Sequence, residues 1–101
     1  MQGCTPVSEL IYTTEFQKRL TTYSFNNLVN FLKKGEILQP PEDFDNVLSP
    51  LFVTWKKDGE LRGCLGTFAE DSKLGKTLAE YSLMSAVKDT RFPPISKEEL
   101  P

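Results

Sequence analysis

The sequence predicts an α+β fold, in which an antiparallel sheet is built around a β-hairpin at 51–68. Residues 51–57 and 60–68 are rich in apolar, β-branched and aromatic side chains, and Asp-Gly, a two-residue hairpin turn, separates them. Helical periodicity precedes the hairpin at about 24–34 and follows it at about 72–90. This order of helix, hairpin and helix differs from the repeated βαβ units of a doubly wound fold.

Composition restricts the class of protein. The chain has 101 residues, of which 39% are hydrophobic and 26% charged, as in one small globular domain. The formal net charge of −2 gives no global positive field, so we expect neither a nucleic acid nor a membrane as partner. Two cysteines without a secretion signal indicate a reducing intracellular compartment. Histidine is absent, and we expect no metal and no cofactor.

The first helix follows a stretch without clear periodicity. Residues 1–20 are predicted to be poorly ordered. Ser24 is a plausible N-cap for a helix that ends near Lys34, where a basic side chain suits the negative end of the helix dipole. Gly35 then provides a C′ stop.

The hairpin turn fixes the expected pairing of the two strands. A turn at Asp58–Gly59 places Trp55 opposite Arg62 and Val53 opposite Cys64 if the pairing is regular. Side chains alternate between the faces of a sheet, so these four side chains are expected to share one face.

The second helix is predicted to begin after Asp71 or Ser72 and to end before Phe92, which precedes a proline. The tripeptide Gly-Lys-Thr at 75–77 resembles the end of a phosphate-binding loop. Such a loop needs a glycine where Glu70 stands, and a carboxylate there would repel phosphate, so we reject a nucleotide site.

Candidate site residues cluster in the second strand of the hairpin. Arg62, Gly63, Cys64 and Gly66 combine a charge, a thiol and space that a ligand or another backbone could approach. Cys64 is either a small buried hydrophobe or a reactive thiol activated by Arg62. Arg62 either stacks on Trp55 or presents its guanidinium to a carboxylate or phosphate.

A second candidate pair lies where the second helix is predicted to end. Asp89 and Arg91 stand two residues apart in a segment that continues into two prolines. They either stabilise this turn or lie at the rim of a site on the hairpin, and the residues alone favour the turn.

Two of these segments carry a resemblance to a known family. Residues 61–66, LRGCLG, resemble the hallmark LRGCIG of the AMMECR family, and 89–94, DTRFPP, resemble its D-[PS]-R-F-P-P segment. The family is named for the chromosomal region of Alport syndrome, midface hypoplasia, intellectual disability and elliptocytosis. The resemblance implies an α+β fold, with residues 21–101 forming the N-terminal part of one domain that continues past Pro101. It also implies a cytoplasmic or nuclear location, and it supplies no assigned reaction.

These observations leave three hypotheses for function. In the first, the domain is a binding module whose Arg62 and Cys64 face recognises a small anionic ligand or a protein partner, with Asp89 and Arg91 at the rim. In the second, Cys64 is the nucleophile or redox thiol of an enzyme, with Asp89 or a residue beyond Pro101 as acid–base partner. In the third, the hallmark motif serves only packing.

Overall fold

The computed structural model describes residues 4–6, 14–46, 48–69 and 71–100. Within these ranges there are three strands, two α-helices and two short 3-10 helices. In chain order these are β1 (Cys4–Pro6), α1 (Thr14–Lys34), a 3-10 helix (Glu42–Asn46), β2 (Leu51–Lys57), β3 (Glu60–Thr67), α2 (Leu74–Val87) and a second 3-10 helix (Lys97–Glu99). The α+β class and the two helices that flank the hairpin are confirmed.

The three strands form one antiparallel sheet in the order β1-β2-β3, so that among the described residues β2 is central and β3 lies at an edge. The hairpin turn lies at Asp58 and Gly59, whose φ angles are 53° and 80°. Positive φ at both positions is the backbone of a type I′ turn, which matches the twist of the two strands. The predicted turn is confirmed.

The predicted strand register is wrong beyond the first two pairs. A β-bulge at Arg62 inserts one extra residue into β3, so that Trp55 pairs with Gly63 and Cys64 pairs with Thr54. Val53 accordingly lies opposite Leu65 and not Cys64. A shift of one residue moves every later side chain to the other face of the sheet. Cys64 therefore faces away from Trp55.

The core lies between the sheet and the two helices. Trp55 is fully buried, and its indole Nε1 donates to the carbonyl oxygen of Ser82 at 3.1 Å and to Oγ of Ser85 at 3.0 Å. Helix α1 packs against both α2 and β1, and its buried Asn27 donates to Oγ of Ser82 at 2.9 Å and to the carbonyl oxygen of Ala79 at 3.2 Å. The two helices therefore cover one face of the sheet, and among the described residues the opposite face is turned outward.

Both helices differ from their predicted starts. Helix α1 begins at Thr14 and not near Ser24, because Leu20 and Tyr23 anchor its first turns in the core. Ser24 is buried within the helix and donates to the carbonyl oxygen of Leu20 at 2.8 Å. The end of α1 is as predicted, since Gly35 adopts a φ of 72° and bonds the carbonyl oxygen of Phe31. The remainder of 1–20 lies outside the described residues, apart from β1.

At the start of α2 the N-cap is Lys73, and neither Asp71 nor Ser72 serves as a cap. The helix ends at Val87, before the segment that contains Phe92. Among the described residues, neither helix combines the length and the apolar character that a bilayer span needs.

Candidate functional site

The two motifs lie side by side because the chain leaves α2 and returns along the outer edge of β3. The backbone N–H of Cys64 donates to Oδ2 of Asp89 at 2.9 Å, and Nη2 of Arg91 donates to the carbonyl oxygen of Cys64 at 3.4 Å. These two side chains thus bind the main chain of Cys64 as a neighbouring strand would. The structure brings together three of the candidate residues, although not through the face on which the sequence placed them.

The carboxylate of Asp89 is held by four hydrogen bonds and is 5% exposed. Besides the N–H of Cys64, it accepts the backbone N–H of Arg91 at 3.1 Å, Nε at 3.0 Å and Nη2 at 2.7 Å. The Arg91 guanidinium, followed by the N–H of Cys64, holds the pKa of this carboxyl well below its usual range. Asp89 is therefore a poor proton acceptor at neutral pH, which does not favour an acid–base role beside Cys64.

The side chain of Arg91 is 58% exposed. Its pKa is raised by the bonds to Asp89. The guanidinium lies 5.5 Å from the centre of the Phe92 ring. Its Nε and Nη2 are engaged, whereas Nη1 forms no hydrogen bond within the described part of the chain. One end of this guanidinium is thus fixed by protein and the other faces solvent.

The side chain of Arg62 is 14% exposed, and each of its three guanidinium nitrogens donates a hydrogen bond. Nε and Nη2 donate to the two carboxylate oxygens of Glu99 at 2.9 and 2.8 Å, a bidentate pair. Nη1 donates to the carbonyl oxygen of Pro93 at 2.7 Å, and Nη2 to that of Pro94 at 3.2 Å. The guanidinium binds these groups instead of stacking on Trp55 or presenting a free fork to a ligand.

Glu99 is the acceptor that sequence reasoning missed. Its bonds to Arg62, followed by the backbone N–H of Ser96, lower the pKa of its carboxyl to about 2. Ser96 and Glu99 form a capping box at the start of the second 3-10 helix. The S-x-x-E spacing is typical of such a box and could have predicted the contact between Ser96 and Glu99. Lys57 adds a longer ion pair with Glu99 at 3.4 Å.

Cys64 is half-buried on the outward face of the sheet, where Oγ1 of Thr54 donates to its Sγ at 3.3 Å. Arg62 donates to Glu99, and so does Lys57. Lys57 lies two residues after Trp55 in β2, so its side chain is on the face of the sheet that packs on α2. The expected shared face of Trp55 and Cys64 is therefore wrong, because the bulge at Arg62 shifts the register before Cys64. The guanidinium that reaches the main chain of Cys64 belongs to Arg91.

The two glycines of the hallmark motif allow close backbone packing. A methyl group added at Gly63 would overlap the carbonyl oxygen of Ser85 in α2. A methyl group added at Gly66 would overlap the carbonyl oxygen of Leu51 and lie 2.6 Å from Cα of Phe52. Of the two predicted uses of this space, approach by another backbone is the one the structure shows.

The outward face of the sheet carries exposed apolar surface. Phe68 is 80% exposed and makes an edge-to-face contact with Phe52, with the ring centres 4.9 Å apart. Thr54 and Cys64 continue the same face.

A half-open cleft of about 560 Å³ lies where the end of β3 meets the start of α2. Its lining combines hydroxyl groups with charges of both signs: Thr67, Asp71, Ser72, Lys73, Lys76, Thr77, Glu80 and Tyr81. Two of these residues, Lys76 and Thr77, belong to the Gly-Lys-Thr tripeptide that was rejected as a nucleotide site. The Gly-Lys-Thr tripeptide at 75–77 lies within α2, so it forms no phosphate-binding loop.

Comparison with known proteins decides the family. The AMMECR1 family model matches residues 21–101, which is most of the chain. The chain belongs to the AMMECR1 family. The segments LRGCLG and DTRFPP, which carried the resemblance to this family, are the two segments that bind each other at the edge of β3.

Similar AMMECR1 proteins occur in distant organisms. An uncharacterized protein of Arabidopsis thaliana is 42% identical over 89 residues, which cover 83% of this chain and 40% of that protein. An uncharacterized protein of Kluyveromyces lactis is 43% identical over 86 residues, covering 81% of this chain and 36% of that protein. The chain therefore spans less than half the length of these relatives.

The fold is similar to a solved structure. The crystal structure of an uncharacterized protein from Pyrococcus horikoshii superposes with a TM-score of 0.71 at 30% identity, covering 79% of this chain and 43% of that one. The names of these three similar proteins describe each of them as uncharacterized.

Proposed function

We propose that this domain is a binding module that recognises an anionic group, and that Arg91 is the side chain that contacts it. The exposed end of the Arg91 guanidinium, with Nη1 unengaged among the described residues, carries the proposal. The other candidate cation, Arg62, has its donors engaged by Glu99 and two proline carbonyls.

The surroundings of Arg91 support recognition of a carboxylate or phosphate. Asp89 binds one side of the guanidinium and fixes its plane, which leaves the Nη1 end for a second acceptor. Because Asp89 offsets much of the charge, the anion alone is expected to bind weakly, with a Kd on the order of millimolar. Additional contacts at the edge of β3 would have to supply the remaining affinity.

Titration of isotope-labelled protein with acetate and with inorganic phosphate tests this proposal. Both anions should shift the side-chain NMR signals of Arg91, and Arg91→Gln should abolish saturable binding. Arg91→Lys, which keeps the charge without the planar fork, should retain part of the binding. Lys88→Gln removes a nearby exposed cation and is the matched control. Unchanged anion binding in a folded Arg91→Gln variant would overturn the proposal.

A thiol-based activity is the second candidate, and the hydrogen bond from Thr54 to Sγ of Cys64 favours it. If that bond activates the sulfur, Thr54→Val should slow alkylation of Cys64 by iodoacetamide in the native protein. An equal rate in the two folded proteins would remove this support.

A further inference from the structure

We infer that the anion recognised at Arg91 is the C-terminal carboxylate of an extended polypeptide, which pairs with β3 as an added antiparallel strand. The inference rests on the proposed function and names the class of partner. Three features support it: the outer edge of β3, the binding of Asp89 and Arg91 to that edge at Cys64, and the cleft beside Thr67 at the end of the strand.

The outer edge of β3 offers main-chain groups for pairing. It is the last strand in the order β1-β2-β3 within the described residues. The N–H and C=O of Cys64 turn to this edge, where Asp89 and Arg91 bind them. Main-chain groups that face one side recur at every second residue, so those of Gly66 turn outward as well. No side chain among the described residues bonds to Gly66 as Asp89 and Arg91 bond to Cys64, which leaves a place for an added strand.

The blocked position determines which part of the partner reaches it. An antiparallel strand would begin near Thr67 and run toward Cys64. It has to stop there, because the side chains of Asp89 and Arg91 already occupy the main chain of Cys64. A chain that ends at this point carries an α-carboxylate, whose charge is complementary to the exposed guanidinium of Arg91.

The two faces of β3 differ in what they offer to the side chains of such a partner. A residue opposite Gly66 would face outward onto Phe52 and the exposed ring of Phe68, which favours an apolar side chain. Its neighbour opposite Thr67 would face the cleft beside Tyr81, where hydroxyl groups and both signs of charge favour a polar side chain. The preferred end of the partner thus alternates polar and apolar residues.

Two matched pools of acetylated random hexapeptides test the inference, one with free carboxylates and one with terminal amides. The full chain should enrich peptides from the free-acid pool, and enriched peptides should lose at least about tenfold in affinity when amidated. Methylation of the peptide nitrogen that faces Gly66 should also weaken binding about tenfold. Arg91→Gln should remove the preference for the acid, whereas Lys88→Gln should retain it.

The outcomes separate this inference from the proposed function. If acetate and phosphate bind at Arg91 but neither pool is enriched, or both are enriched equally, strand addition with a terminal carboxylate is overturned while anion recognition remains. Tolerance of the N-methylated peptides likewise overturns pairing with β3. If neither small anion binds at Arg91 and no free acid is enriched, both proposals fail.

Discussion

At the scale of single residues, the hallmark motif combines two structural tasks. Gly63 lets the carbonyl oxygen of Ser85 approach the sheet, and the buried Trp55 opposite it bonds the same turn of α2. Cys64 exposes its main chain to Asp89 and Arg91, while its thiol faces outward. The motif thus sets both the distance of α2 from the sheet and the point at which Asp89 and Arg91 bind the edge of β3.

Gly63→Ala should be strongly destabilising because its methyl group would overlap backbone that cannot move independently of α2. We expect a loss of about 3 kcal/mol in the free energy of unfolding, at the upper end of overpacking costs. Urea denaturation measures it. Gly59→Asn is the matched control, since that position has open space and asparagine tolerates positive φ, and it should change stability by less than about 1 kcal/mol. Equal effects of the two substitutions would contradict the steric explanation.

The ion pair of Glu99 should appear as a pH-dependent contribution to stability. Because folding lowers the pKa of this carboxyl from 4.5 to about 2, its contribution is complete above pH 4.5 and is lost as the pH falls toward 2. The stability difference between wild type and Glu99→Gln should therefore be largest at neutral pH and shrink across that interval. Chemical denaturation at several pH values measures the difference. Glu98→Gln, which removes an exposed neighbour, should show little effect at any of them.

At the scale of elements, the β-bulge and the segment after α2 depend on each other. The bulge frees Arg62 from the regular alternation of β3, and its guanidinium then binds Pro93, Pro94 and Glu99. This holds the segment in which Asp89 and Arg91 meet Cys64. Arg62 is thus a positioning residue for the candidate site.

Arg62→Gln should loosen this segment without unfolding the domain. The amides of Ile95 and Glu99, which bond the carbonyl oxygens of Ala86 and Ser96, should exchange at least about tenfold faster with deuterium. The amide of Leu28, in the core of α1, should be protected nearly as in wild type. Arg19→Gln breaks an exposed ion pair elsewhere and serves as the control. Equal exchange in both variants would show that Arg62 does not hold the segment.

What the sequence predicted correctly was set by local backbone chemistry. Asp58, Gly59 and Gly35 need positive φ, and each lies where the sequence placed it. The bulge at Arg62 has no comparable local signal, because distant groups such as Glu99 stabilise it. The sequence therefore named Cys64, Asp89 and Arg91 as candidates, but it did not predict the geometry of the contacts that join them.

At the scale of the whole molecule, one buried amide joins three parts of the chain. The side chain of Asn27 donates from α1 to Ala79 and Ser82 in α2 and accepts the backbone N–H of Leu38 at 2.8 Å. It is fully buried, so no water can replace a lost partner without rearrangement.

Asn27→Ala should therefore cost about 2–3 kcal/mol in the free energy of unfolding, since it leaves buried polar groups unsatisfied. Thermal and urea denaturation should agree on this loss. Asn30→Ala is the matched control on the same helix, where an exposed amide bonds only the carbonyl oxygen of Glu36, and it should cost less than about 1 kcal/mol. A similar loss in both variants would contradict the joining role of Asn27.

The contacts between the two hallmark segments also affect the order in which parts of the domain fold. The hairpin pairs two strands that are adjacent in the sequence. By contrast, Asp89 binds Cys64 at a sequence separation of 25 residues, and Glu99 binds Arg62 at a separation of 37. Closing such loops costs chain entropy, which docking of α2 on the sheet reduces beforehand. During synthesis on the ribosome, the hairpin and α2 leave the exit tunnel before Glu99 does. Arg62 can therefore form its ion pair with Glu99 only after these two elements are available to fold.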